Sequence, residues 1–171
     1  DHMPGLFGFY AFGEGRENWD AERFIYYGLM ALQGRGEEES SLAAFTSESQ
    51  AFKTRSVKGP PDKLFTTNVR GEQQGFLGIG QVSPVQGDEI ISVERPVRLV
   101  LAGDGMPNLD ADKVQAFRSL GQILSEKLQS NPDALEGAAQ TIHEVRGGYA
   151  FLALTERQEL ICGRDCLGVK P

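Results

Sequence analysis

The sequence predicts a mixed α+β fold, and three observations carry that prediction. Short apolar segments typical of strands stand near both ends of the chain, one amphipathic helix lies near the amino terminus, and two consecutive helices lie in the second half. This order fits two sheets covered by helices, and it fits one sheet with helices equally well. A chain of 171 residues can bury one substantial core, so we expect a single globular unit.

The amino-terminal part predicts a strand followed by a helix. Residues 6–12 alternate loosely between apolar and small residues and are expected to form a buried strand. Asp20 can cap the helix that follows, in which apolar side chains recur three to four residues apart. Gly34 and Gly36 are expected to end it.

Four more strands are predicted before the second helical region: 42–46, 51–57, 76–82 and 97–102. The polar residues 47–50 join the first two of these strands and have the length of a hairpin connection. Residues 84–95 contain turn-forming residues, so we expect a loop there.

The second helical region begins after a polar segment in which Asn108 or Asp110 can act as the cap. Its apolar residues recur three or four apart and form one stripe: Val114, Phe117, Leu120, Leu124 and Leu128. Pro132 is expected at the first position of the next helix. Residues 149–155 and 159–163 then predict a closing hairpin.

Composition disfavours several classes of partner. The formal net charge is −7, and the basic residues are scattered along the chain. Such a surface repels phosphate backbones and anionic lipids, so we expect neither nucleic acid nor membrane as a partner. The apolar runs are also far shorter than a membrane span. We expect a cytoplasmic protein.

Cysteine and histidine are too few for a metal site. Cys162 and Cys166 are the only thiols, and we expect the first to be buried in a strand and the second to lie in a turn. His143 is interpreted as an ordinary helix residue. We therefore expect no metal and no cofactor. Asp1 to Met3 are interpreted as an expression scar that ends in the initiator Met, so the domain is expected to span residues 4–171.

Four segments, spread from end to end in a fixed order, resemble class II glutamine amidotransferases, a family of N-terminal-nucleophile hydrolases. They are PGLFGF at 4–9, YGLMALQGRGEE at 27–38, RGGYA at 146–150 and RDCLGVKP at 164–171. Within that family the chain is most similar to the glutaminase domain of the amidophosphoribosyltransferases of purine biosynthesis. The resemblance implies a four-layer αββα sandwich with two facing sheets. It leaves open whether the last strands are present, because relatives continue past the position of Pro171.

The resemblance also assigns the site positions, and several carry an unexpected residue. Pro4 stands where the family has its nucleophilic cysteine. Gln81 and Ser83 stand where the family has a histidine and the arginine that holds the substrate carboxylate. Asp104 replaces the asparagine of the oxyanion segment, whereas Gly105 is retained. A carboxylate has the wrong charge for stabilising an oxyanion.

Two further substrate-binding positions match the family, and one does not. Arg35 and Gly36 correspond to residues of the family's Arg-Gly motif, so the resemblance implies that they line the substrate site. The family's acid that receives the substrate ammonium has no counterpart in residues 119–122.

The resemblance therefore implies a glutamine amidotransferase-like domain without glutaminase activity, acting as a structural, binding or regulatory module. Two alternatives stay open. The chain is a working amidotransferase or hydrolase of a diverged lineage, including one that uses the amine of Pro4, or it is a subunit that completes a larger assembly. We also expect a homo-oligomer or a partner chain that supplies missing strands, since unpaired sheet edges recruit partners. The small-molecule ligand is left unassigned.

Overall fold

The computed structural model describes residues 3–48, 51–65 and 74–170. Contacts between residues divide the chain into two compact units, Asp1–Ile90 and Ile91–Pro171. Each unit contains a four-stranded antiparallel sheet and its own helices. A single domain over residues 4–171 stays a prediction.

The first unit contains one helix and four strands. They are β1 (Gly5–Tyr10), α1 (Ala21–Ala31), β2 (Glu39–Thr46), β3 (Ala51–Lys58) and β4 (Leu77–Ser83). The strand order is β1-β4-β2-β3. All four strands were predicted, with ends shifted by a few residues; residues 49 and 50 of the predicted hairpin connection lie outside the described residues.

Helix α1 packs on one face of β4. It begins after Asp20, whose side chain accepts a hydrogen bond from the Arg23 N–H at 3.1 Å, as the sequence predicted for this cap. Ile25 and Leu29 are fully buried. A Cβ atom at Gly80 would lie 2.6 Å from Ile25 Cγ2, so glycine on β4 allows the helix to approach the strand closely.

The second unit contains two helices and the other four strands. They are β5 (Ile91–Val93), β6 (Leu99–Pro107), α2 (Lys113–Ser130), α3 (Ala134–Glu144), β7 (Gly147–Thr155) and β8 (Leu160–Arg164). The strand order is β5-β6-β7-β8. The predicted stripe of α2 packs into the core of this unit together with side chains of β6 and β7: Leu99, Leu101, Phe117, Leu120, Leu124, Tyr149 and Phe151.

The predicted cap of α2 is wrong. Asp112 is the N-cap, and its carboxylate accepts a hydrogen bond from the Gln115 N–H at 2.9 Å. Asp110 instead accepts a hydrogen bond from the Asp112 N–H at 2.9 Å, so it supports the cap from outside the helix. The helix starts later than predicted because β6 continues to Pro107, which moves the turn along the chain.

Two other boundaries also differ from the prediction. Asp133 is the N-cap of α3 and accepts a hydrogen bond from the Leu135 N–H at 2.9 Å, so Pro132 lies before the cap and not at the first helical position. The stretch predicted as a loop contains β5, whose three residues are too few to produce a visible alternation. The closing hairpin of β7 and β8 is confirmed.

The strands form two sheets, as the resemblance implied: those near Leu6 and Phe76 lie in one, and those near Val97 and Tyr149 lie in the other. Helix α1 contacts the first sheet, and α2 and α3 contact the second. Within the described ranges, no helix is long and apolar enough to cross a membrane.

Candidate functional site

The positions predicted for the nucleophile and the carboxylate anchor lie at the same end of the first sheet. Strands β1 and β4 are antiparallel, with Gly5 opposite Val82. Pro4 precedes Gly5 and Ser83 follows Val82, so the register brings these two residues to one end. Both are buried.

Four polar side chains form a buried patch beside this end, here named the polar patch: Glu39, Ser41, Gln81 and Ser83. Strands β2 and β4 pair Glu39 with Ser83 and Ser41 with Gln81. Side chains two residues apart on a strand share a face and neighbouring ones face opposite ways. Gly80, the neighbour of Gln81, faces α1, so the patch lies on the face away from the helix. None of the four is more than 5 % exposed. Burying a polar group is costly unless it is hydrogen-bonded. Each of these four side chains therefore needs a hydrogen-bond partner within the fold.

The two patch residues on β4 bond to a single acid. Ser83 Oγ donates to Asp88 Oδ2 at 2.6 Å, and Gln81 Nε2 donates to the Asp88 carbonyl oxygen at 2.8 Å. Ser83 Oγ also accepts the Val85 N–H at 3.2 Å. The side chains that replace the family's histidine and arginine are therefore bonded to a carboxylate and a backbone carbonyl of the chain itself. Asp88 was not identified from the sequence. The feature that could have pointed to it is an acidic residue in the turn-rich stretch that follows Ser83.

The two patch residues on β2 bond to backbone groups of the same loop, residues 84–90. The Gly87 N–H donates to Glu39 Oε2 at 3.1 Å, and the Ile90 N–H donates to Ser41 Oγ at 3.1 Å. All four side chains of the polar patch therefore have partners in this segment, which we call the 84–90 loop.

Arg35 and Gly36 lie at the same sheet end as Ser83. A concavity of about 360 Å³ is lined by residues 33–38 and Pro84. Gly36 approaches the strand so closely that a Cβ atom there would lie 2.2 Å from the carbonyl carbon of Ser83. Arg35 is exposed and Gly36 is buried. The structure thus brings together Arg35, Gly36 and Ser83 among the predicted substrate-binding positions.

The predicted oxyanion segment lies on β6 in the second unit. The Asp104 side chain is 8 % exposed, and its Oδ1 lies 3.5 Å from Lys170 Nζ, so the carboxylate has a cationic partner within its unit. Gly105 has φ +95°, and a Cβ atom there would lie 2.1 Å from the carbonyl oxygen of Gly148. Backbone conformation and space both require glycine at 105, so the fold alone accounts for this residue.

Asp165, in the family-like segment after β8, organises a turn. Its carboxylate accepts hydrogen bonds from the N–H groups of Leu167 at 3.0 Å, Val169 at 3.1 Å and Tyr149 at 3.3 Å. Although burial raises the pKa of Asp165, the backbone hydrogen bonds from Val169, Leu167 and Tyr149 outweigh it and hold the pKa below its ordinary value of 3.8. The acid therefore has a structural role in holding this segment.

The remaining sequence candidates lie on the surface. His143 is exposed near the end of α3. Cys162 and Cys166 are free and exposed. The prediction that Cys162 is buried is wrong because Ile161 is the buried residue, and the next side chain on a strand points to the opposite side. Cys166 lies in a turn, as predicted.

No protein-family model matches the chain. Among curated proteins, the amidophosphoribosyltransferase of Methanocaldococcus jannaschii is 28% identical and its match covers 99% of this chain and 39% of that protein. The amidophosphoribosyltransferase of Pasteurella multocida is also 28% identical, over 86% of this chain and 34% of that protein. The chain therefore spans well under half the length of these relatives.

Solved structures also share the fold. The glutamine phosphoribosylpyrophosphate (PRPP) amidotransferase from B. subtilis, complexed with ADP and GMP, superposes with a TM-score of 0.66 at 21% identity, covering 94% of this chain and 37% of that chain. A structure described as the allosteric regulatory enzyme of purine biosynthesis gives a TM-score of 0.69 at 22% identity, covering 97% and 38%. The predicted fold class is confirmed. The homologues of this chain are amidophosphoribosyltransferases, and its fold is that of the N-terminal-nucleophile glutamine amidotransferase domain.

Proposed function

We propose that this chain is a glutamine amidotransferase-like domain that does not hydrolyse glutamine and acts as a binding or regulatory module. The observation that carries the proposal is the hydrogen bond between Ser83 and Asp88. Ser83 stands where the resemblance puts the arginine that binds the substrate carboxylate. The hydrogen bond therefore places a carboxylate of the chain itself, that of Asp88, beside this position.

The nucleophile position supports the proposal first. Covalent glutamine hydrolysis requires a thiol or hydroxyl that attacks the amide carbonyl and a group that takes up its proton. Pro4 offers neither a thiol nor a hydroxyl, and it is buried at the start of β1. The thioester step therefore has no agent at this position.

The anchor position supports it second. An arginine holds a carboxylate through two parallel charge-assisted hydrogen bonds, which a serine hydroxyl cannot reproduce. The Ser83 hydroxyl also donates its single proton to Asp88. A second carboxylate brought to this place would be repelled by Asp88, because like charges at close range raise the energy most where water is excluded.

The oxyanion segment supports it third. Asp104 places a carboxylate, paired with Lys170, where the resemblance puts an amide donor. A negative charge there opposes the developing negative charge of a tetrahedral intermediate. A neighbouring residue can replace one lost group. Here the nucleophile, the carboxylate anchor and the oxyanion donor would each need a separate replacement.

Glutamine turnover by the full chain tests the proposal. Glutamate and ammonia release is measured for the wild-type chain and for Pro4→Ala, the matched control that changes the nucleophile position alone. We expect both proteins to give the rate of buffer without protein. Turnover by the wild type above the buffer rate would overturn the proposal, and its loss in Pro4→Ala would place the activity at residue 4.

A further inference from the structure

We propose that the 84–90 loop is an internal plug that occupies the polar patch, and that Asp88 is the residue that holds it closed. The loop would do so whether or not the chain hydrolyses glutamine, since its own hydrogen bonds to the patch hold it in place.

The loop buries one of its two acids, Asp88, and exposes one of its apolar residues, Val85. Asp88 is only 7 % exposed, whereas Val85 is 59 % exposed; Ile90, at the end of the loop, is buried. Gln86 and Glu89 are exposed as well. This is the reverse of the usual preference, because acids are rarely buried unless they are paired. The bonds of Asp88 therefore orient the loop together with the burial of Ile90, and Val85 does not anchor it.

The hydrogen bond from Ser83 to Asp88 is short and joins a hydroxyl to a carboxyl group. Its length of 2.6 Å lies at the short end of the range for a hydroxyl donor. The Asp88 carbonyl oxygen accepts a second hydrogen bond, from the Gln81 side-chain amide. The side chain and the backbone of Asp88 are thus each held by a residue of β4, and these two residues share one face of the strand.

The backbone of the loop is held equally well from β2. Glu39 accepts the Gly87 N–H and Ser41 accepts the Ile90 N–H. Opening the loop would break these bonds together with those of Asp88, and the buried polar groups that lose them would need water or a ligand in their place.

Amide hydrogen exchange of the full chain tests the plug directly. Asp88→Ala is expected to raise the exchange rates of the Gly87 and Ile90 amides by about tenfold or more, because opening becomes local and easier. The amides of β2 should keep their wild-type rates. The matched control is Glu89→Ala, which changes an exposed acid of the same loop and should leave the Gly87 and Ile90 rates unchanged.

Two results would overturn the proposal. One is an Asp88→Ala protein whose Gly87 and Ile90 amides exchange within about twofold of wild type. The other result concerns Ser83→Ala, which is used if Asp88→Ala unfolds the whole first unit. Ser83→Ala, which removes one hydroxyl, then decides the matter: faster exchange confined to the 84–90 loop supports the plug, and wild-type rates there contradict it.

Discussion

Ser83 donates a hydrogen bond to Asp88 at 2.6 Å, and both side chains are buried. Ser83 stands on β4 at the position where the resemblance implies an arginine, and Asp88 supplies a carboxylate from the loop that follows. The carboxylate that Ser83 contacts therefore belongs to the chain itself and not to a substrate. Because Gln81, Glu39 and Ser41 bind the same loop, the arrangement involves two strands and is not an isolated contact.

Ser83→Ala is expected to lower the free energy of unfolding by about 1–3 kcal/mol, because it removes a buried hydroxyl that bonds to a carboxylate and to the Val85 N–H. Denaturant unfolding measures the change. Ser92→Ala on β5, where the side chain is exposed, is the control and should stay within about 0.5 kcal/mol of wild type. Equal stability of the two variants would show that the Ser83 bonds contribute little.

Gly105→Ala is expected to destabilise the second unit by about 2 kcal/mol or more, because the added Cβ meets the Gly148 carbonyl and the backbone has a positive φ. Gly13→Ala separates the two effects. Gly13 has φ +85° with nothing within 4 Å of the place that an added methyl group would take, so it should lose only the conformational part, about 1–2 kcal/mol. Thermal unfolding of both proteins gives the comparison, and an equal loss in both would contradict the steric argument.

Acid should destabilise the protein partly through Asp165. Its pKa in the folded chain lies below the ordinary value of 3.8, so its contribution is present above pH 3.8 and is lost as pH falls through the folded pKa. Asp165→Asn removes this titration, and its free energy of unfolding should fall less steeply below about pH 4 than that of wild type. Denaturant midpoints measured against pH provide the check. The exposed Glu89→Gln is the control, and a wild-type slope in Asp165→Asn would refute the assignment.

Self-association is expected through the edge of the first sheet. Among the described residues, β1 pairs with β4 alone, and it carries no charged side chain from Gly5 to Tyr10. The opposite edge, β3, carries Lys53 and Lys58, which discourage strand addition. Sedimentation velocity over a wide range of concentration should show a species larger than the monomer, or a rising average mass. A single monomeric species at every concentration would contradict the expectation.

The periodic elements were predictable from the sequence because their signal is local. The stripe from Val114 to Leu128 marks α2, and Asp20 marks the start of α1, since spacing and capping depend on neighbours along the chain. Boundaries were less predictable. Asp110 and Asp112 are both good caps, and only the length of β6 decides between them.

That the family-like positions form a substrate site stays a prediction, and the hydrogen bonds around them were not predictable from the sequence. The family-like segments pointed to Arg35, Gly36 and Ser83; the structure places Gly36 against the backbone of Ser83, and residues 33–38 and Pro84 line one concavity. The role of Asp88 was not predictable, because it depends on how the 84–90 loop folds back onto strands that are distant in sequence. An acid in a turn-rich stretch normally faces water, and no periodic pattern distinguishes one that turns inward.

The most direct test of the central claim, that the chain has lost its glutaminase chemistry, is peptide mapping by mass spectrometry after incubation with the glutamine analogue diazo-oxo-norleucine. The full chain is treated and digested, and adducts are assigned to segments, because the exposed Cys162 and Cys166 give an internal reference for nonspecific alkylation. We predict no adduct on the segment that contains Pro4. An adduct there that glutamine competes away would demonstrate a working nucleophile and contradict the claim.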